Sequence, residues 1–304
     1  MTVVDILSAY PALLLALCLV LGLVVGSFLN VVIHRLPIML ERQWRDQCEE
    51  LAREDRAARE PRTAAPRARF NLMVPRSACP ACGAQISALQ NIPILSYVAL
   101  KGRCAACRAP ISVRYPLVEA LTGVLSLLVA WRFGFGWPLL AALIMTWFLI
   151  ALAFIDIDHQ LLPDDLTLPL LWLGLTVSLW IPSTDGPVPL ELRSGVIGAV
   201  AGYLSLWSVY HLFRLATGKE GMGHGDFKLF AALGAWLGWQ LLLPTILIAA
   251  AVGALVGIIM IAIKGADRGT PIPFGPFLAA AGWLMLLFGH DVVARYLGLF
   301  GART

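Results

Sequence analysis

Two segments of the chain place aspartates at the edges of apolar stretches. Asp156 closes a long apolar run, and Asp226 follows a glycine-rich segment and precedes another apolar run. An ionisable group at such a place is costly, so it points to a functional site. Two carboxyl groups held close together do not both ionise readily, and one keeps a proton while the other activates water. Asp156 and Asp226 are therefore candidates for an aspartic dyad, with helix caps and an ion-coupling pair of a transporter as alternatives.

The polar residues around the two aspartates have simpler interpretations. Asp158 lies two residues beyond Asp156 and projects from roughly the opposite face of a helix. Asp164 and Asp165 precede an apolar run, where N-capping and the helix dipole account for both. His224 has no second His or Cys at ligand spacing, which predicts a polar loop residue.

Asp226 ends the motif Gly223-His-Gly-Asp226, in which glycines permit backbone conformations barred to other residues. We therefore expect Gly223 and Gly225 to let another chain approach closely. The motif lacks the spacing of a phosphate loop and follows no strand, which excludes a nucleotide-binding fingerprint.

Four of the six cysteines form the pairs Cys79-Pro-Ala-Cys82 and Cys104-Ala-Ala-Cys107. Two such pairs supply four thiolates that close tetrahedrally around Zn²⁺. Two disulfides are the alternative, but they are rare in the reducing cytoplasm, where the charge distribution places this segment. With every position filled by cysteine, the zinc is predicted to be structural.

The composition shows which elements must position these residues. The chain has 304 residues, of which 59% are hydrophobic and 14% charged, with a mean hydropathy of +0.78. These values exclude an ordinary soluble protein and predict an all-α polytopic membrane protein. Eight apolar stretches are candidate transmembrane helices, at residues 11–33, 117–133, 137–155, 166–181, 192–215, 227–239, 241–263 and 274–297.

Residues 34–116 form a polar insert between the first two candidate helices, with 14 Lys/Arg and 7 Asp/Glu. The remaining residues carry a net charge of −3, so the overall +4 is no sign of nucleic-acid binding. Basic residues stay in the cytoplasm, and eight crossings place 19 Lys/Arg on the insert's side and four on the other. The sequence therefore predicts a cytoplasmic insert, with both aspartates on the same face.

Within the insert, residues 39–60 have acidic and basic residues at helical spacing, which predicts a short solvated helix. Residues 61–70 are basic and interrupted by proline. They are either a linker that contacts anionic membrane lipid or a solvated loop. The domain division expected from these features is a first helix at 1–33, the zinc-binding insert at 34–116 and a membrane-embedded domain at 117–304.

Taken together, the ordered motifs resemble those of the type IV prepilin peptidases, membrane aspartic proteases with a G-x-G-D motif. The resemblance rests on the two cysteine pairs and on five further motifs: Gly26-Ser-Phe-Leu-Asn-Val-Val-Ile-His-Arg-Leu-Pro37, Arg114-Tyr-Pro-Leu-Val-Glu119, Ile155-Asp-Ile-Asp-His-Gln-Leu-Leu-Pro-Asp164, Gly223-His-Gly-Asp226 and Thr270-Pro-Ile-Pro-Phe-Gly-Pro276. It implies that Asp156 and Asp226 are the catalytic pair. It also implies that the cysteines are the family's four and that Gly223 and Gly225 make room for the substrate backbone.

The resemblance further implies an enzyme of the bacterial inner membrane. Such enzymes remove the basic leader of type IV prepilins or type II secretion pseudopilins after a glycine, and they methylate the new N-terminus with S-adenosylmethionine. No Rossmann-type donor site is present in the sequence, and the residues that bind the methyl donor are not assigned. Glu119 is either an intramembrane acid with a functional role or an interface residue. The competing hypotheses are an ion-coupled transporter and a non-catalytic, zinc-stapled scaffold for pilus assembly; neither the motifs nor the composition indicates an oligomeric state.

Overall fold

The computed structural model describes residues 3–54, 70–87, 89–180, 191–264 and 272–299. Within these ranges the chain forms α-helices, two short 3-10 turns at Leu89–Asn91 and Trp239–Leu241, and two isolated β-bridges. The predicted linker at 61–70 lies almost entirely outside them. The helices are α1 Val3–Ala9, α2 Pro11–Glu54, α3 Leu95–Ala99, α4 Arg114–Phe133, α5 Trp137–His159, α6 Asp164–Trp180, α7 Leu192–Thr217, α8 His224–Leu237, α9 Leu242–Lys264 and α10 Gly275–Leu299.

Five stretches of the described helices are long and apolar enough to cross a membrane, which confirms an all-α polytopic membrane protein. They are Pro11–Ala52, Arg114–Phe133, Trp137–His159, Leu192–Thr217 and Trp239–Ile263. The other three predicted spans fall on α6, α8 and the apolar part of α10 at Gly275–Gly289, which are shorter. The count of eight therefore stays a prediction.

The polar helix expected at 39–60 is not a separate element. Helix α2 runs without a break from Pro11 to Glu54, so the first span continues directly into the insert. At 1.5 Å per residue, its 44 residues extend for about 66 Å. The polar half thus follows the apolar half within one helix, with Pro37 inside it.

The chain divides into two compact units. The first comprises Met1–Gly22 with Val124–Thr304, and the second comprises Leu23–Gly123, which contains both cysteine pairs. The predicted domain boundaries at 33 and 116 differ from these and remain a prediction, since compactness alone does not define a functional domain.

Helix α8 is the central helix of the first unit. It has only 14 residues, and all but one of the side chains from Asp226 to Leu237 are buried. A helix that is apolar on all sides belongs in a core, and this explains why so short an apolar segment is stable. Trp236 anchors its far end by donating its indole N–H to the Leu170 carbonyl of α6, at 2.7 Å.

Helices α7 and α8 approach each other closely because small residues line their contact. Gly195, Gly198 and Gly202 of α7 face the backbone of Ala235, Gly234 and Phe230 in α8. A Cβ atom at Gly198 would collide with Gly234, and the reverse holds as well. Small residues at such spacing are the usual means by which membrane helices pack.

Gly234→Ala is expected to destabilise the protein by about 1–3 kcal/mol, because the added methyl group meets backbone rather than a movable side chain. The measurement is thermal unfolding of the purified protein in detergent. The matched control is Gly257→Ala in α9, where the nearest neighbour of a new Cβ is the flexible end of Ile272, at 3.2 Å. Equal melting temperatures for both variants would contradict the close α7–α8 contact.

Candidate active site

Asp156 lies in the last turn of α5 and is 5% exposed. Its Oδ2 atom accepts a hydrogen bond from the backbone N–H of Gly275, at 2.9 Å. Gly275 is the first residue of α10, where backbone N–H groups lack helical partners and the helix dipole is positive. This contact with the N-terminus of α10 stabilises the ionised form of Asp156, whereas burial of the side chain favours the neutral form.

Gly275 lies within the motif Thr270–Pro276, but the sequence alone assigned no role to it. A Cβ atom at this position would lie 2.7 Å from Oδ2 and 3.2 Å from Cγ of Asp156. Only glycine allows the backbone N–H to reach the carboxylate. The available signal was a Gly-Pro pair at the start of an apolar run, which marks a helix N-terminus but does not say what the N-terminus faces.

Asp226 occupies the third position of α8, and Gly223 is the N-cap residue. The Gly223 N–H donates back to the Asp226 carboxylate, whose Oδ2 atom would lie 3.5 Å from a Cβ atom on Gly223. This is one half of a capping box. A capping role thus accounts for part of the placement of Asp226, although caps are usually exposed and Asp226 is 7% exposed.

The structure brings the two aspartates together. Asp226 precedes the apolar segment that begins at Phe227. Its pKa is raised to about 7, mainly by burial and to a lesser extent by the nearby negative charge of Asp156. The hydrogen bond from Gly223 opposes this shift. At pH 7, about half of the Asp226 side chains therefore hold a proton that an exposed aspartate would lose.

Leu162 packs against the N-terminal ends of α8 and α10. A Cβ atom at Gly225 would lie 2.7 Å from Leu162 Cβ, and one at Gly275 would lie 3.1 Å from Leu162 Cδ2. The space beside Gly225 is thus filled by this leucine rather than left open. Gly225 lets the loop after α5 approach α8, and the substrate-spacing role expected for it stays a prediction.

An ion pair joins the same loop to α8. The Lys228 ammonium contacts both carboxylate oxygens of Asp164, each at 2.7 Å. Asp164 is the first residue of α6, so the helix-cap interpretation covers only part of its role. Because the partners are 64 residues apart, sequence spacing offered no signal for this pair.

His224 is exposed, and its ring packs against two aromatic side chains. It is the first residue of α8, and its ring centroid lies 5.1 Å from that of Tyr210 and 5.5 Å from that of Phe227. Tyr210 comes from α7 and is 2% exposed. The predicted polar residue therefore lies at the start of a helix and not in a loop, and an isolated histidine gives no pattern from which its ring contacts can be inferred.

The four predicted cysteine ligands converge in the second unit. The Sγ atoms of Cys79, Cys82, Cys104 and Cys107 all lie within 4.8 Å of one another, and the Cys79–Cys107 pair is 3.8 Å apart. A tetrahedral zinc site with Zn–S bonds of about 2.3 Å has S–S separations of about 3.8 Å. The cluster could therefore hold a metal ion, and its dimensions fit zinc.

The two cysteine pairs adopt the same backbone turn. The N–H of Cys79 donates to the Ala84 carbonyl, and that of Cys104 donates to the Ala109 carbonyl. In each turn the residue four positions after the first cysteine, Gly83 or Arg108, has a positive φ. The backbone N–H of Cys107, followed by that of Ala106, lowers the pKa of Cys104 to about 6. The turn around Cys104 thus favours the thiolate of this cysteine, the form that binds metal.

Glu119 holds the insert against the start of α4. Its Oε2 atom accepts the backbone N–H of Ile94 at 2.8 Å, and the Ser27 hydroxyl of α2 is its second hydrogen-bond partner. A Cβ atom on Gly26 would lie 2.8 Å from the Glu119 Cα. These contacts favour the interface role over a separate functional acid.

Comparison with known proteins shows which family the chain belongs to. The Bacterial Peptidase A24 N-terminal domain matches residues 20–133, and the Type IV leader peptidase family matches residues 143–258. A prepilin leader peptidase/N-methyltransferase of Stutzerimonas stutzeri is 54% identical over 297 residues, covering 98% of each chain. The chain belongs to this family. The protein of the same name in Pseudomonas aeruginosa is 51% identical over the full length of both chains.

The two family matches divide the candidate site residues of this prepilin peptidase family member between them. The first contains the four cysteines and Glu119, and the second contains Asp156 and Asp226. A third relative with the same name, from Aeromonas salmonicida, is 54% identical over 293 residues and covers 96% of this chain and 97% of its own. No solved structure matches the chain.

Proposed function

We propose that the chain cleaves the basic leader of type IV prepilins or type II secretion pseudopilins and then methylates the new N-terminal residue. The observation that carries this proposal is the pair of buried aspartates on α5 and α8, in a chain whose relatives bear the name prepilin leader peptidase/N-methyltransferase. Both aspartates act at the cytoplasmic face of the inner membrane. The excess of basic residues on the insert's side supports this orientation.

The contacts of the two aspartates support different roles for them. Asp156, bound by the N-terminus of α10, is the base that takes a proton from water as the water oxygen bonds to the scissile glycine carbonyl. Asp226, buried and protonated, donates its proton towards the carbonyl oxygen. The proton gained by Asp156 then passes to the amine nitrogen as the C–N bond breaks. At the same time, a hydroxyl of the tetrahedral intermediate returns a proton to Asp226 as the C=O bond of the new carboxyl group forms.

Zinc is proposed to be bound by Cys79, Cys82, Cys104 and Cys107, where it would stabilise the fold of the insert. S-adenosylmethionine is the proposed methyl donor, because the relatives are named N-methyltransferases. The amine released by cleavage is the nucleophile of the second reaction. The protein would therefore produce its own methylation substrate.

Cleavage is expected to slow as the pH rises through about 7. Asp226 must be protonated to polarise the carbonyl, and its pKa of about 7 means that alkali removes this proton. The measurement is kcat/KM for a prepilin between about pH 6 and pH 9, after confirming that the protein stays folded across the range. A rate that keeps rising through that interval would contradict the acid role of Asp226.

The proposed function is tested by incubating the purified protein in liposomes with a prepilin, with and without S-adenosylmethionine. Mass spectrometry is expected to report leader loss in both cases and a methyl gain only with the donor. A transporter predicts that Asp156→Asn and Asp226→Asn alter ion flux and leave processing unchanged. A scaffold predicts an intact prepilin even with the wild-type protein.

A further inference from the structure

The insert exposes a row of large apolar side chains between its two cysteine pairs. Leu89, Ile92, Leu95 and Val98 recur at every third residue and are 78%, 40%, 68% and 66% exposed. Five of the six residues between them are half-buried, and Asn91 is exposed. For example, the Tyr97 hydroxyl would lie 2.9 Å from a Cβ atom on Gly102. The segment Leu89–Ala99 is therefore amphipathic, with its apolar face outward, the reverse of what an aqueous domain favours.

The contacts of Ile94 show where this segment lies along the apolar half of α2. Its N–H bonds to Glu119 in the second turn of α4, and Glu119 contacts Ser27 of α2. Ser27 lies six residues before Ile33, which ends the apolar half of α2. At 1.5 Å per residue, Ile94 is level with a point about 9 Å inside the apolar stretch.

Other parts of the insert contact α2 at residues farther from its apolar half. Arg35 donates to the carbonyl of Asn71 at 3.0 Å, and the Arg42 guanidinium lies 4.0 Å from the centroid of the Phe70 ring. Arg42 is 15 residues beyond Ser27, a rise of about 22 Å along α2. The insert thus extends outward from a base formed by residues 89–99.

The charge of the insert also favours a membrane surface as the partner of residues 89–99. Residues 70–118 contain no Asp or Glu and five basic residues. Arg76, Lys101, Arg103 and Arg108 are exposed. Even if the four thiolates with Zn²⁺ contribute a charge of −2, the segment remains positive. Exposed cations around an apolar face match an anionic lipid surface.

We propose that residues 89–99 lie in the boundary between lipid head groups and acyl chains, as an interfacial anchor that holds the zinc-binding insert on an anionic bilayer. Leu89, Ile92, Leu95 and Val98 contact the upper acyl chains, and the basic residues contact head groups. Glu119 serves this anchor by fixing Ile94, whose φ of 59° is unusual for a branched residue. The proposal does not depend on the cleavage reaction.

The test uses the full-length protein in nanodiscs that contain anionic lipid. A fluorescent amino acid replaces Leu95 or Val98, and quenching is measured with lipids brominated near the head-group end of the acyl chains. The control site is Gln47, an exposed residue on α2 about 30 Å beyond Ser27. Unchanged zinc content confirms that each labelled insert is folded.

The expected result is a fall in fluorescence to about half at positions 95 and 98 and no change at position 47. Equal, weak quenching at all three positions would overturn the proposal. Quenching that is lost when a prepilin is added would also overturn it, because the apolar face would then be a substrate surface. Quenching that is unaffected by replacing the anionic lipid with a zwitterionic one would reject the role of the basic residues.

Discussion

Asp156→Asn and Asp226→Asn are each expected to lower the rate of leader cleavage by at least about 1,000-fold, because each variant removes one half of an acid–base pair. Both substitutions preserve the size of the side chain, so the packing around Leu162 and Gly275 should persist. The measurement is the rate of leader loss from a purified prepilin. Methylation of a pilin peptide that already lacks its leader should continue, which shows that the variants are folded.

The matched control for these variants is Asp165→Asn. Asp165 lies in the same loop region as the candidate pair but is exposed, and surface substitutions of this kind usually have small effects. Its cleavage rate should stay within about twofold of the wild-type rate. Substantial cleavage by either candidate variant, or an equally large loss in Asp165→Asn, would count against the assignment.

Replacing Cys79, Cys82, Cys104 and Cys107 together by serine is expected to abolish zinc binding and unfold the insert. Structural zinc sites supply about 10–16 kcal/mol in small domains, and the exposed cysteine turns of this insert have few other contacts that would replace it. Bound metal is measured by elemental mass spectrometry, and folding of the insert by limited proteolysis. The wild-type protein should carry one zinc ion per chain and resist cleavage within residues 70–118.

Cys48→Ser provides the control for the metal site, since Cys48 is exposed on α2 and lies outside the cluster. This variant should keep its zinc and its resistance to proteolysis. Unchanged zinc stoichiometry in the four-serine variant would reject the ligand set. A disulfide-linked insert would instead retain its resistance after treatment with a chelator and lose it after reduction.

The candidate catalytic and metal-binding residues gave the clearest signals in the sequence. A carboxylate at the end of an apolar run is expensive, and four cysteines in two close pairs have few uses, so Asp156, Asp226 and the cysteines stood out from composition and spacing. The contacts that position them did not. Gly275 meets Asp156 across 119 residues, and Lys228 meets Asp164 across 64.

Helix lengths were predicted less well than helix types. Hydrophobicity located α8, but a buried core helix and a short membrane span have the same composition, and only the surrounding helices distinguish them. The break expected after the first span was absent because nothing between Ile33 and Glu54 stops a helix, including Pro37. The apolar face of residues 89–99 had no clear signal in the sequence, because the insert at 34–116 is polar on average.

The central claim, that Asp156 and Asp226 act as one unit, is tested most directly by a double-mutant comparison. The residual cleavage rates of Asp156→Asn, Asp226→Asn and the double variant are measured on one prepilin by mass spectrometry. Catalytic groups that work together are strongly non-additive, so the double variant should be about as slow as either single variant. If the two losses instead multiply in the double variant, the aspartates act independently and the dyad is wrong.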